Sequence, residues 1–99
     1  MGKQYYVYIL ASRKYGALYI GVTGDLVGRV YIHRQELLHG HTSRYHIHTL
    51  VHFEIFTDPE AAIQREKQLK KWRRAWKMEL IEKDNPGWAD LYPDIAGTA

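Results

Sequence analysis

The chain of 99 residues contains no cysteine. That excludes disulfides and thiolate metal sites, and makes a reducing compartment such as the cytoplasm the simple expectation. No apolar run reaches the length of a membrane span, and no charged-then-apolar leader opens the chain, so neither a transmembrane segment nor a signal peptide is expected. Only three prolines occur, and two of them, Pro59 and Pro86, sit at helix-boundary signals. Internal repeats and low-complexity segments are lacking as well. A chain of this length is one domain, near the low end for a self-sufficient core.

What is present compensates in aromatics. Three Trp, eight Tyr and two Phe within a 45% hydrophobic composition are enough for a compact fold without staples. The formal net charge is a modest +3, but it is unevenly spread. Residues 64–83 hold eight Lys/Arg against three Glu, a local excess of +5 that leaves −2 to the rest of the chain. A stripe this concentrated suits a polyanion through counterion release, although an ordinary solvated helix face gives the same pattern.

Residues 4–11 read as a strand apolar on both faces, as a central strand is. A turn at 12–16 and a returning strand at 17–22 complete a hairpin. Leu18, Ile20 and Val22 share one face of the second strand and Tyr19 and Gly21 the other. If Tyr8 lies opposite Tyr19, both phenols project from the same face, and Gly21 leaves room for a ligand backbone. Thr23-Gly24-Asp25 caps a helix over 26–38 with Leu26, Val30 and Leu37 inward, Val27, Tyr31 and Leu38 beside them, and Arg29 and His33 together at the opposite edge. Gly28 in its interior costs roughly 1 kcal/mol relative to Ala, with no sequence-level reason. After a polar loop at 39–49, residues 50–56 alternate as a third strand, Val51, Phe53 and Ile55 inward and His52 and Glu54 outward. Asp58-Pro59-Glu60 starts helical spacing that runs to about Lys83 and stops at Asp84-Asn85-Pro86-Gly87. Whether that is one helix or two meeting near Trp72 stays open. From Trp88 on, an arm with a frayed tip is expected.

Several residues could carry chemistry, and each has an ordinary reading beside it. Glu66 falls about 40° from Ala62 at roughly 100° per residue, so it points with the apolar face and needs a cation or a metal to offset its desolvation. An ion pair, for instance with Arg29, would satisfy it equally. Tyr8 and Tyr19 could be packing residues with wet hydroxyls. Arg29 and His33 could be surface residues, and Trp72 and Trp76 at i, i+4 are better read as core than as a stacking platform. His39, His41, His46, His48 and His52 lack the third well-spaced ligand that a structural metal site requires.

In combination the pattern becomes specific. The run YVYIL, the YIG at Tyr19 eleven residues beyond Tyr8, R-x-x-x-H at Arg29 and His33, A-A-x-x-R-E-K-Q-L-K-K-W at 61–72 and N-P-x-W-x-D-L-Y at 85–92 together resemble the GIY-YIG nuclease family, in its small single-domain, UPF0213-like bacterial branch. The first motif is Tyr6-Val7-Tyr8, without the nominal glycine. The resemblance implies an α+β domain over 1–92, a three-stranded antiparallel sheet flanked by helices in the order β-β-α-β-α-α, with 93–99 as a flexible tail. It implies hydrolysis of a DNA phosphodiester with one divalent metal, Mg²⁺ or Mn²⁺. By position, Tyr8, Tyr19, Arg29, His33 and Asn85 match catalytic residues, and Glu66 matches the metal-binding glutamate.

The implied chemistry is internally consistent. Tyr8 would take a proton from the attacking water, directly or through His33, its phenolate favoured by a guanidinium and a metal. Arg29 would clamp the phosphate, Tyr19 orient it, and Glu66 anchor the metal, with Glu54 the next ligand candidate. Arg44, Tyr45, Arg65, Lys67, Lys70, Lys71, Arg73 and Arg74 would hold DNA by its phosphates, salt-sensitively and with little regard to sequence. Two rivals remain: a catalytically weak or inactive module of the same fold that lends nucleic-acid affinity to a partner, and a basic interaction protein that meets an acidic partner.

Overall fold

The computed structural model describes residues 3–37 and 40–97. Three strands, β1 (Tyr5–Ala11), β2 (Leu18–Thr23) and β3 (Thr49–Phe56), form one antiparallel sheet in the order β2-β1-β3. Helix α1 (Leu26–Arg34) and a short turn α2 (His41–Arg44) connect β2 to β3. Helices α3 (Pro59–Lys71) and α4 (Arg74–Asp84) and a final turn α5 (Tyr92–Ile95) follow. The α+β expectation and its element order hold, with α2 and α5 added.

β1 is central and apolar on both sides because each side has its own core. Val7, Ile9 and Ala11 pack with Ile20 and Val51 against Ala62, Leu69 and Ile81 of α3 and α4 and against Trp88. Tyr8 and Leu10 pack with Leu50 against Leu26 and Val30 of α1 and against Ile47. Two covered faces also change the reading of β3. Its register slips between Ile9 and Leu10, which face His52 and Leu50, so Val51 is an extra residue in a bulge. The expected simple alternation therefore fails: His52 is buried and Ile55 is exposed.

The starts of the helices follow their caps. Asp25 accepts from the Gly28 amide at 3.0 Å, and a Cβ on Gly28 would lie 2.2 Å from the Asp25 carboxylate. Glycine at 28 is thus what lets the cap close, an account the sequence did not supply. α1 ends at Arg34 rather than near 38, and Glu36 takes a positive φ. Leu37 is consequently exposed, Val27 is exposed too, and the third inward residue of α1 is His33. Leu38 lies outside the described residues.

Pro59 opens α3 behind the Asp58 cap. The long helical stretch is two helices, because Trp72 and Arg73 are both extended. The break lets Trp72, Met78, Leu80 and Ile81 pack on the same core. At the far end the arm is docked. Trp88 is buried, the Leu91 amide donates to the Leu50 carbonyl at 2.8 Å, Arg34 pairs with Asp90, and Leu91, Tyr92 and Ile95 pack on the α1-side core. Residues 98–99 lie outside the described part.

Candidate active site

The hairpin sets the site. Tyr8 pairs with Gly21 and Tyr19 with Leu10, so the two tyrosines are diagonal neighbours rather than opposite partners. They do share the α1-side face, with ring centroids 6.3 Å apart. Gly21 does not leave space for a ligand: a Cβ there would lie 2.4 Å from Cζ and Oη of Tyr8. The Tyr8 ring lies across the glycine, which fixes the direction of its hydroxyl.

α1 brings His33 against both phenols. Its ring centroid is 6.1 Å from that of Tyr8 and 5.3 Å from that of Tyr19. The Tyr8 hydroxyl is 3.4 Å from Nε2 of His33, and Nδ1 of His33 is 3.2 Å from Oγ1 of Thr42. Tyr8, His33 and Thr42 are all buried. One turn before His33, Arg29 acts on the same groups, its positive charge lowering the affinity of both Tyr8 and His33 for a proton. Glu66 comes from α3, which packs against β1 and β2 from the opposite face. Its negative charge nevertheless acts on the Tyr8 phenol.

The electrostatics correct one expectation. The Tyr8 phenol is not pulled toward phenolate. Burial pushes it up, the Tyr19 phenol adds to this, Arg29 lowers it and Glu66 raises it, and the balance is well above an ordinary tyrosine. His33 moves the other way: burial and then Arg29 push its imidazole below the usual 6.5. At neutral pH the site therefore holds a protonated phenol against a neutral imidazole, an acid facing a base.

Glu66 is mostly buried, and its Oε2 is 2.5 Å from Nζ of Lys70 one turn on. The partner is thus a half-exposed lysine on the same helix, not Arg29. Among the described residues no three His, Cys, Asp or Glu side chains gather as a metal cage. A hard divalent ion that keeps several waters needs only one or two carboxylates. The donor chemistry of Glu66, an anionic oxygen that already attracts a cation, fits such an ion. Glu54 does not offer a second carboxylate. Arg65 grips it through Nε at 2.8 Å and Nη2 at 3.0 Å, and His52 bonds it at 2.9 Å.

Asn85, matched by resemblance to a catalytic residue, is engaged with backbone. Its amide donates to the carbonyls of Val51 (3.1 Å) and Ala89 (2.9 Å), and its Oδ1 accepts from the Ala89 amide (3.0 Å). Both donors are spent on backbone. The basic residues also divide. Arg65 is held by Glu54 and stacks on Trp72, Lys70 by Glu66, and Arg74 by the Tyr15 and Gly16 carbonyls. Lys67 and Lys71 are exposed, and Arg73 and Arg44 lie over the rings of Trp76 and Tyr45. Thr42, buried against the imidazole, is the residue at this site that the sequence reading did not single out. It sits in a four-residue turn, which leaves no periodicity to read.

The model of the GIY-YIG catalytic domain matches residues 4–79. The chain belongs to the GIY-YIG family. GIY-YIG domains are nuclease domains, so the coarse activity is cleavage of a nucleic-acid substrate. A solution structure of the UPF0213 protein BH0048 from Bacillus halodurans is similar over 91% of this chain and 95% of that one, at 26% identity and a TM-score of 0.56. Among curated proteins none matches at a significant level. The small single-domain GIY-YIG resemblance read from the sequence is borne out. No helix among the described residues is long and apolar enough to cross a membrane.

Proposed function

We propose that this GIY-YIG domain is a divalent-metal-dependent DNA endonuclease in the cytoplasm, cutting phosphodiesters with weak sequence preference and favouring distorted or branched DNA. The observation that carries the reading is the meeting of Tyr8, Tyr19 and His33: the buried Tyr8 hydroxyl is 3.4 Å from Nε2 of His33, and the Tyr19 ring lies 6.3 Å from that of Tyr8 and 5.3 Å from that of His33.

Proton affinities of the two groups favour a relay over a standing phenolate. The attacking water gives its proton to the Tyr8 oxygen as the phenol proton passes to Nε2 of His33. The water oxygen bonds to phosphorus, the phosphorus–oxygen ester bond breaks, and the leaving alkoxide takes a proton from solvent. Arg29 holds the phosphate and stabilises the charge that develops on its oxygens. The bound phosphate in turn offsets the repulsion between Arg29 and the imidazolium. Tyr19, half-buried beside both rings, orients the phosphate. Glu66 would hold one Mg²⁺ or Mn²⁺, which supplies neutralisation of the leaving oxygen. Lys70, now paired with Glu66, would be freed to meet the DNA backbone with Lys67, Lys71, Arg73 and Arg44.

A plasmid-nicking assay with and without Mg²⁺ or Mn²⁺ tests this, wild type against Glu66→Ala. Metal-dependent nicking that Glu66→Ala abolishes is the expected result. Nicking by Glu66→Ala at the wild-type rate refutes the metal assignment. Salt-sensitive DNA binding without nicking by the wild type would favour the rival reading, a binding module of the same fold.

A further inference from the structure

The Tyr8–His33 contact does not end at the imidazole. Behind it, Nδ1 of His33 is 3.2 Å from Oγ1 of Thr42, and all three side chains are buried. The direction of the protons along this chain follows from the relative strengths of its donors and acceptors. A phenol has one O–H to place, and a neutral imidazole has one N–H and one lone pair. The hydrogen-bond partner of the buried Tyr8 hydroxyl is Nε2 of His33. If Nε2 carried the ring proton, it would donate to the phenol oxygen, Thr42 would donate to Nδ1, and the phenol O–H would be the group left without its acceptor. If Nδ1 carries it, the phenol donates to Nε2 and Nδ1–H donates to Thr42. Each tautomer leaves one O–H over, that of Thr42 or that of the phenol; the phenol is the stronger donor and the aliphatic hydroxyl the better acceptor, so the arrangement with Nδ1–H is the favoured one.

We infer that Thr42 is a positioning residue: its hydroxyl accepts from Nδ1–H of His33 and so holds the imidazole in the tautomer whose Nε2 lone pair faces Tyr8. The catalytic consequence rests on the proposed nuclease reading, whereas the tautomer does not. Thr42 is placed for this by its turn. The Ile47 amide donates to the Thr42 carbonyl at 2.8 Å, and Glu36 bonds His46 across the loop at 2.5 Å. The segment is thereby folded so that Thr42 points in while Arg44 stays exposed.

The test reads the ring nitrogens directly. Imidazole ¹⁵N NMR on the whole protein without DNA, at a pH where His33 is neutral, should find Nδ1 protonated in wild type and in Thr42→Ser. In Thr42→Val, which keeps the shape and removes the acceptor, the Nε2–H form should gain population. Nε2–H as the main wild-type form overturns the inference, and so does a Thr42→Val spectrum with an unchanged tautomer. If Thr42→Val fails to fold, the wild-type spectrum alone still decides. In the cleavage assay Thr42→Val should lower kcat about 10–100-fold with KM little changed, as loss of an orienting partner does, and Thr42→Ser should restore it. An Nδ1–H tautomer in a wild type that cuts nothing would sink the nuclease reading and leave the positioning intact.

Discussion

At the scale of single residues the site is a matter of one missing side chain and two opposed proton affinities. Gly21 is needed because Tyr8 occupies the space a Cβ would take. In Gly21→Ala the ring must move, and a displacement of even 1 Å at a reacting group costs on the order of 10²-fold in rate. Single-turnover cleavage by Gly21→Ala should fall by about that factor while DNA binding persists; a wild-type rate would mean that the ring position does not matter. His33 must be neutral to accept a proton. Its facing charged and titratable groups are Arg29, Tyr8 and Tyr19, and burial and Arg29 hold it below 6.5. Its protonated form grows as pH falls, so the cleavage rate should drop on the acid side with a midpoint below 6.5 and be level at neutrality. A pH–rate profile that shows no such limb in wild type, or the same limb in His33→Gln, removes the histidine from the relay. That Tyr8, Tyr19 and His33 come together was legible in the sequence, because type and spacing are sequence properties. The direction of the Tyr8 shift was not, because burial on a covered face outweighs Arg29 and no spacing reports burial.

At the scale of elements the legible features were those written locally. Asp25 and Asp58 cap the helices they were expected to cap, and the hairpin needs only its two aromatic runs and a polar turn. The bulge at Val51 and the early end of α1 were not announced by local pattern, and the break at Trp72–Arg73 was offered by it only as one of two readings. Asn85 belongs here too. Resemblance placed it in the site, whereas its three bonds tie the end of α4 to β3 and to the Ala89 segment ahead of the docked arm. Asn85→Ala leaves buried backbone groups unpaired, and should lower stability by on the order of 2–4 kcal/mol while residual folded protein keeps its activity. Chemical denaturation paired with the nicking assay separates the two. Unchanged stability with lost cleavage would return Asn85 to the catalytic set.

At the scale of the whole molecule a central sheet covered on both sides keeps two charge systems apart. On the α3 side, Glu54, Arg65 and His52 form a closed network that holds β3 to the helix. Burial alone would raise the Glu54 carboxyl, but bonds from His52 and Arg65 outweigh it and lower it from 4.5 to about 2. A lowered carboxyl stabilises the fold above the unfolded value, and that contribution is lost as pH falls from about 4.5 toward 2. Equilibrium unfolding should show wild type losing stability over that range, with a smaller slope in Glu54→Gln; equal slopes would contradict the network. On the α1 side, the buried phenol and imidazole lie against each other and against Tyr19, with the Arg29 charge acting on both. That juxtaposition is the centre of the account. Its most direct test is Tyr8→Phe, which removes one hydroxyl and leaves the ring over Gly21. Cleavage of a labelled branched duplex under single-turnover conditions should fall by about 10²-fold or more with DNA affinity unchanged. Cleavage at the wild-type rate would show that the proton path does not run through Tyr8.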